Sequence, residues 1–297
     1  MGMMSEEYME KVGKYWGNHI AKQEREFWWD SEKLVSHMNY LICKEEIKGW
    51  NAGAIKCLRN IADKYPLALS VGCGNATKEM QLLESGLVEH FVCFELSAER
   101  IEAGKKIAKS KMLENRITFI RGDFLTSDRK EEGYDLVFWD NSLHHMLDAY
   151  EAVRVSYEIL KAGGVFFCND YIGESRFQWS DEKLEYVNAI RDTLDEEIFL
   201  VKGEKFPRHR KRPSKEKLMQ SDPSEAADSD RILPAVKKYF PKAQITMLGG
   251  VVHLLLMDKM MGNIPEDSKL LKQLIEADDE AISRGMSNYA FILATKE

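Results

Sequence analysis

The sequence predicts a doubly wound α/β fold around a mostly parallel sheet, and three observations predict it. Between Leu67 and Cys168, short and nearly all-apolar runs alternate with amphipathic stretches of about 10–15 residues, the pattern of strands buried on both faces beneath helices. The first apolar run ends in Gly72-Cys73-Gly74, a tight bend into the helical stretch that follows. Acids close the next two runs, Glu95 and Asp123, so all three features fall at the carboxyl edge of one sheet, where open α/β sheets bind ligands.

Taken in order, residues 1–66 read as a helical cap. Tyr8, Val12, Tyr15 and Trp16 recur at helical spacing, a second pattern runs from Phe27 to Tyr40, and Tyr65-Pro66 is the breaker that closes the segment. Residues 67–170 are the core. It opens with a strand at Leu67–Val71, a helix from Ala76 to Leu83, a strand at Phe91–Phe94 and a helix from Ala98 to Leu113. Strands at Ile117–Ile120 and Leu136–Trp139 follow, then a helix from Asp148 to Leu160 stopped at Lys161-Ala162-Gly163-Gly164, then a strand at Val165–Cys168. Right-handed crossovers turn this alternation into a doubly wound sheet. Residues 171–240 break the rhythm and read as an insertion over the carboxyl edge. Residues 241–297 return to it, with a strand at Gln244–Leu248, helical segments from Val252 to Ser283 and a last strand at Tyr289–Thr295 that completes the core.

Composition narrows the function classes. The 297 residues are 44% hydrophobic and 31% charged, as in ordinary globular proteins, and a formal charge of −7 argues against sequence-independent binding to nucleic acid or anionic membranes. The five cysteines, Cys43, Cys57, Cys73, Cys93 and Cys168, are odd in number and lack CxxC spacing, so neither a disulfide framework nor a zinc site is expected, and no metal. The start MGMMSEEYMEK has no apolar signal core, and Gly2 opens a myristoylation pattern that fails because Glu6 stands at the Ser/Thr position. The longest apolar run, around Val251 to Met257, is too short to span a bilayer. No membrane insertion is expected, and the cytoplasm is the expected location.

Gly72 and Gly74 let the backbone turn and approach a ligand with no Cβ in the way, although a lone GxG serves equally well as a plain turn. Glu95, 21 positions after Gly74, ends the second strand where an acid can take both hydroxyls of a ribose. A nicotinamide dinucleotide would use the same edge, but needs a third glycine, and Ala76, Thr77 and Lys78 stand there instead. The ordered motifs VGCGNA, Phe94-Glu95-Leu96-Ser97, RGDF, YDLVFWDNSLHHM and LKAGGVFFCND resemble those of class I S-adenosylmethionine-dependent methyltransferases across residues 67 to 173. That resemblance implies a Rossmann-like sheet of seven strands whose last strand is antiparallel, and S-adenosyl-L-methionine as cofactor with S-adenosyl-L-homocysteine as product. It also implies that Gly72 and Gly74, with Val71, Cys73 and Asn75, flank the methionine part. Glu95 and Leu96 would hold the ribose, Gly122, Asp123 and Phe124 the adenine, and Asp140 and Asn141 would face the sulfonium. The family pattern usually has an acid before the first glycine. Ser70 and Val71 stand there, which leaves one expected contact to the cofactor's amino end in doubt.

Methyl transfer to a hydroxyl is a displacement at a sulfonium carbon, so the protein aligns the acceptor and helps remove its proton. His144 and His145 follow the fourth strand at the carboxyl edge, and Asp170 ends the fifth, 26 positions after His144. An imidazole there is a base of suitable pKa, or else packing at the start of a helix. His144 is the favoured base, because only one of two neighbours can point into the site. The pair with Asp170 resembles small-molecule and sugar O-methyltransferases.

Trp28, Trp29 and His37 in the cap, and Tyr171 after the fifth strand, are candidate acceptor contacts. Adjacent tryptophans cannot share a helix face, so one is expected in the core. The basic run from Lys202 to Lys217, with Arg208, Arg210 and Arg212, either attracts an anionic acceptor or is a solvated loop, and Asp222-Pro223-Ser224-Glu225 carries a helix N-cap signature. The sequence therefore points to methylation of a small molecule or glycan at oxygen. The competing readings are an RNA or protein methyltransferase that docks through residues 202–217, or a module that binds the cofactor without chemistry.

Overall fold

In the computed structural model, which describes residues 6–18, 27–127, 133–257 and 259–297, three helices precede the sheet; the motif at Gly2 lies outside these residues. They are α1 (Glu6–Asn18), α2 (Glu32–Cys43) and α3 (Ala52–Ile61). The Ser31 hydroxyl caps α2 by accepting from the Leu34 amide, and the chain leaves that helix through Lys44 in the left-handed region.

The core follows as β1 (Tyr65–Val71), α4 (Thr77–Glu84), β2 (Val88–Glu95), α5 (Ala98–Ser110), β3 (Ile117–Arg121), β4 (Tyr134–Asp140), α6 (Ala149–Ile159) and β5 (Leu160–Tyr171). Pro66 does not close the helical segment; it is the second residue of β1, where a strand tolerates a missing N–H. Likewise Lys161–Gly164 is not the helix stop expected of a glycine pair. It belongs to the start of β5, where the register against β4 shifts between Tyr134 and Leu136.

Beyond the core come α7 (Asp181–Asp192), a two-stranded ribbon of β6 (Leu200–Val201) and β7 (Glu204–Lys205), α8 (Lys215–Ser221), α9 (Ile232–Tyr239), β8 (Gln244–Met247), α10 (Val252–Leu255), α11 (Lys269–Ser283) and β9 (Tyr289–Thr295). The seven-stranded sheet runs β3-β2-β1-β4-β5-β9-β8. β1 to β5 pair in parallel, and β9 pairs antiparallel with both β5 and β8.

Alternation along the strands divides the core in two. Ala68, Phe91, Phe138 and Phe167 pack toward α2–α5, α10 and α11, while Leu69, Val137, Trp139 and Phe166 pack toward α6 and α9. At the end of the stretch 171–240, α9 packs against α6 as a helix of the core layer. Among the described residues no helix is long and apolar enough to cross a membrane. Because β2 and β3 lie on one side of β1 and β4 on the other, the strand order reverses between β1 and β4. That opens a crevice above their carboxyl ends.

Candidate active site

The glycine loop at the end of β1 occupies that crevice. Gly72 has φ +66°, and a Cβ there would stand 2.8 Å from the Ser142 side chain, so this position admits only glycine without a shift. The buried carboxylate of Glu95 reaches across from β2 and accepts the amides of Gly74 and Ser97, each at 2.8 Å. Loop and acid are thereby held in fixed relation. At the end of β3, Asp123 is fixed by the Leu125 amide at 3.0 Å, and Phe124 packs edge-on between Phe94 and Trp139. These residues wall a cleft of about 750 Å³, which Tyr8, Val12 and Trp16 of α1 cover. The expected cofactor residues Val71, Leu96, Gly122 and Asn141 line it too. Cys73, Asn75 and Asp140 line an adjoining cavity shared with Gly72, Gly74 and Asn141. Asn141 holds φ +54°, a conformation uncommon outside glycine and frequent at functional sites.

A larger aromatic cavity of about 1660 Å³ opens beside the cleft, and four of the chain's six tryptophans, Trp16, Trp28, Trp29 and Trp50, line it with Tyr289. His144, His145 and Glu225 meet there. His144 Nδ1 lies 2.5 Å from Asp170 Oδ1, and its Nε2 lies 3.5 Å from Glu225 Oε1. Both ring nitrogens thus face carboxylates, an arrangement that favours the imidazolium. Burial alone would favour the neutral ring, but the two carboxylates overcome it and push the His144 pKa up to about 10. Asp170 is also buried, yet the His144 charge and the Ser142 and Leu143 amides, at 2.9 and 2.6 Å, hold its pKa below the ordinary value.

His145 is in the opposite state. Burial and the charge of His144 hold its pKa below 6.5, so the ring is neutral near pH 7. Ser224 gives its hydroxyl proton to Asp222 Oδ1 at 2.6 Å, leaving its oxygen to accept from His145 Nδ1 at 3.0 Å. This places the proton on Nδ1 and leaves Nε2 as a bare acceptor. Of the two histidines, His145 alone lines the cleft walled by Glu95 and Asp123, although both line the aromatic cavity. His144, His145 and Glu225 each offer one ligand atom within 4.8 Å of one another, as a divalent cation would need.

Other expected contacts fall elsewhere. Trp28 is buried and Trp29 is 43% exposed, the division expected of neighbours, and both reach the aromatic cavity. His37 does not, because its Nε2 pairs with Asp279 of α11 at 2.8 Å. Tyr171 is buried below the site, bonded to Trp179 Nε1 and the Glu174 carbonyl. Arg208 bonds Glu196 and the Arg191 and Leu194 carbonyls, while Arg210 lies over the Trp179 ring in a separate cavity. The basic run thus spends these charges on its own neighbours. Asp222-Pro223-Ser224-Glu225 starts no helix. It forms turns in which the Asp222 carboxylate takes the Ser224 amide and hydroxyl, and Ser224 and Glu225 face the site. Reading that motif as a cap hid both residues. The spacing of Trp16 showed only a helix face, and nothing in the sequence tied Lys78, whose ammonium lies 3.1 Å from Asp140, to the cavity.

Known proteins match this chain in sequence and in fold. Residues 67–222, more than half of the chain, match the family described as "Methyltransferase domain". The chain is 24% identical to 27-O-demethylrifamycin SV methyltransferase of Amycolatopsis mediterranei, over 35% of this chain and 38% of that protein. It is 23% identical to demethylmenaquinone methyltransferase of Leptospira interrogans, over 44% of this chain and 52% of that protein. The alignments thus span about a third to a half of these curated relatives. Among solved structures, geranyl diphosphate C-methyltransferase from Streptomyces coelicolor, in complex with Mg2+, geranyl diphosphate and S-adenosyl-L-homocysteine, shares the fold over the whole of both chains, with a TM-score of 0.56 at 12% identity. Phosphoethanolamine N-methyltransferase 2 of Haemonchus contortus, in complex with S-adenosyl-L-methionine, matches 84% of this chain and 53% of that one, with a TM-score of 0.52 at 16% identity. Together with the seven-stranded sheet, the matched domain shows that this chain belongs to the class I S-adenosylmethionine-dependent methyltransferases.

Proposed function

We propose that this enzyme transfers the methyl group of S-adenosylmethionine to a hydroxyl oxygen of a small molecule or glycan seated in the aromatic cavity, with His145 taking the hydroxyl proton. The observation that carries this reading is the chain from Asp222 through Ser224 to His145. It keeps a neutral imidazole with a bare Nε2 at the junction of the cofactor cleft and the aromatic cavity. The cofactor supplies an activated methyl, and the chain's own residues handle position and charge. Glu95 and Asp123 fix the adenosyl end, and the tryptophans present flat apolar faces to the acceptor. The imidazolium of His144, held between Asp170 and Glu225, keeps its neighbour unprotonated. We read α1–α3 as a cap over this site, and the matched relatives named for rifamycin and menaquinone precursors are in keeping with a small acceptor.

Incubating the enzyme with S-adenosylmethionine and a panel of hydroxylated aromatic compounds, lipids and sugars tests the reading. Mass spectrometry should find a product heavier by one CH2, with the added methyl on oxygen. Methylation confined to nitrogen or carbon acceptors would contradict the oxygen assignment. For the cofactor, Glu95→Ala is expected to weaken binding of S-adenosylhomocysteine by about tenfold or more, roughly 1.4 kcal/mol. Calorimetry returning an unchanged affinity would remove Glu95 from the ribose site.

A further inference from the structure

Beneath the glycine loop lies a carboxylate that the proton chemistry does not use. Glu79, in the first turn of α4, is 3% exposed and lines the cavity of about 470 Å³ formed with Gly72–Asn75 and Asp140. Its Oε1 accepts the Ser70 hydroxyl at 2.6 Å, while its Oε2 is buried with no hydrogen-bond partner. Buried acceptors are rarely left so, and an orphan oxygen beside a cavity calls for a donor from a ligand. The charged neighbours do not supply one. Lys78 is committed to the Asp140 carboxylate at 3.1 Å and its carbonyl at 3.2 Å, and the Cys73 and Cys93 thiols pack nearby. Ser70, the last residue but one of β1, is already spent on Glu79.

We propose that Glu79, held in place by Ser70, is the carboxylate that takes the α-ammonium of the cofactor's methionyl arm, an acid moved from the strand to the helix. This rests on reading the cleft as the cofactor site. Geometry supplies the orphan oxygen and the adjoining space, and electrostatics agrees. Burial pushes the Glu79 pKa up to about 7, with Lys78 lowering it and Asp140 raising it by smaller amounts. In the free protein the carboxyl therefore carries a proton for much of the time near neutrality. Arrival of an ammonium favours the ionised form, so Glu79 releases its proton to solvent and accepts a hydrogen bond from the ammonium.

The test is calorimetric titration of the intact wild type and of Glu79→Gln with two ligands, S-adenosylhomocysteine and 5′-methylthioadenosine, which lacks the amino-acid arm. The variant should bind S-adenosylhomocysteine about tenfold or more weakly, yet hold 5′-methylthioadenosine within about twofold of wild type. Equal weakening for both ligands would mean that Glu79 only shapes the loop, and unchanged binding of both would also overturn the proposal. Repeating the wild-type titration in buffers of different ionisation enthalpy should show release of up to about one proton below pH 7, fading above it. This measurement needs no variant, so a variant that fails to fold leaves the proposal exposed, and binding without proton release refutes it. The double change of Ser70→Asp with Glu79→Gln, returning the acid to the strand, should restore most of the lost affinity. A wild type that binds neither ligand removes the cofactor site itself, and this proposal with it.

Discussion

Asp170→Ala is expected to cost about 3–5 kcal/mol of folding stability and to lower Tm by roughly 10 °C in a thermal melt. Asp170 is wholly buried and gathers the amides of Ser142, Leu143 and Tyr171 together with the His144 ring. Removing its carboxylate orphans three buried N–H groups and leaves a buried imidazolium with Glu225 as its remaining carboxylate. Asp170→Asn keeps one acceptor and should lose less. The pH dependence carries a sign. Because the folded-state pKa of His144 is raised from 6.5 to about 10, its contribution is fully present below pH 6.5 and fades as pH climbs toward 10. On the acid side the Asp170 pKa is depressed, so its contribution is lost as pH falls below 3.8. The stability gap between wild type and Asp170→Asn should therefore narrow at both extremes. A gap that stays constant from pH 6 to pH 10 would contradict the imidazolium assignment.

The second large effect concerns turnover. His145→Ala is expected to lower kcat by about 10²–10⁴-fold, the usual worth of a positioned base, with S-adenosylhomocysteine affinity changed by no more than severalfold. Since the His145 pKa is held below 6.5, the acid limb of kcat/KM should lie below that pH. His144→Gln removes the neighbouring charge and should move the limb upward. Unimpaired turnover in His145→Ala would assign the proton to another group, with Glu225 next in line by position.

Much of this is legible in the sequence, for local reasons. Short, nearly all-apolar runs mark β1, β2, β3 and β4, and the bend at Gly72 and the acids at Glu95 and Asp123 follow from where the first three end. The pairing of His144 with Asp170 was also within reach, since both stand at carboxyl ends of adjacent strands. The relative roles of His144 and His145 were not, because they depend on which ring nitrogen meets Asp170, Glu225 or Ser224. Spacing along the chain carries no such information. Glu225 escaped notice because Asp222-Pro223-Ser224-Glu225 has the composition of a helix start, and tertiary contacts instead fold it into turns. Arg208 and Arg210 misled for the converse reason. A run of like charge is visible in sequence, but the groups that hold Arg208 are not: Glu196 pairs with its charge and the Arg191 carbonyl accepts its hydrogen bond.

The central claim is that the glycine bend, Glu95 and Asp123 enclose one adenosyl ligand whose sulfur points toward His145 and the aromatic cavity. A crystal structure of the full chain grown with S-adenosylhomocysteine tests it most directly. The expected result is ribose hydroxyls on the Glu95 carboxylate, adenine beside Asp123 and Phe124, and sulfur facing His145. A ligand bound elsewhere, or one in this cleft with Glu95 turned away and the sulfur pointing to the opposite side, would contradict it.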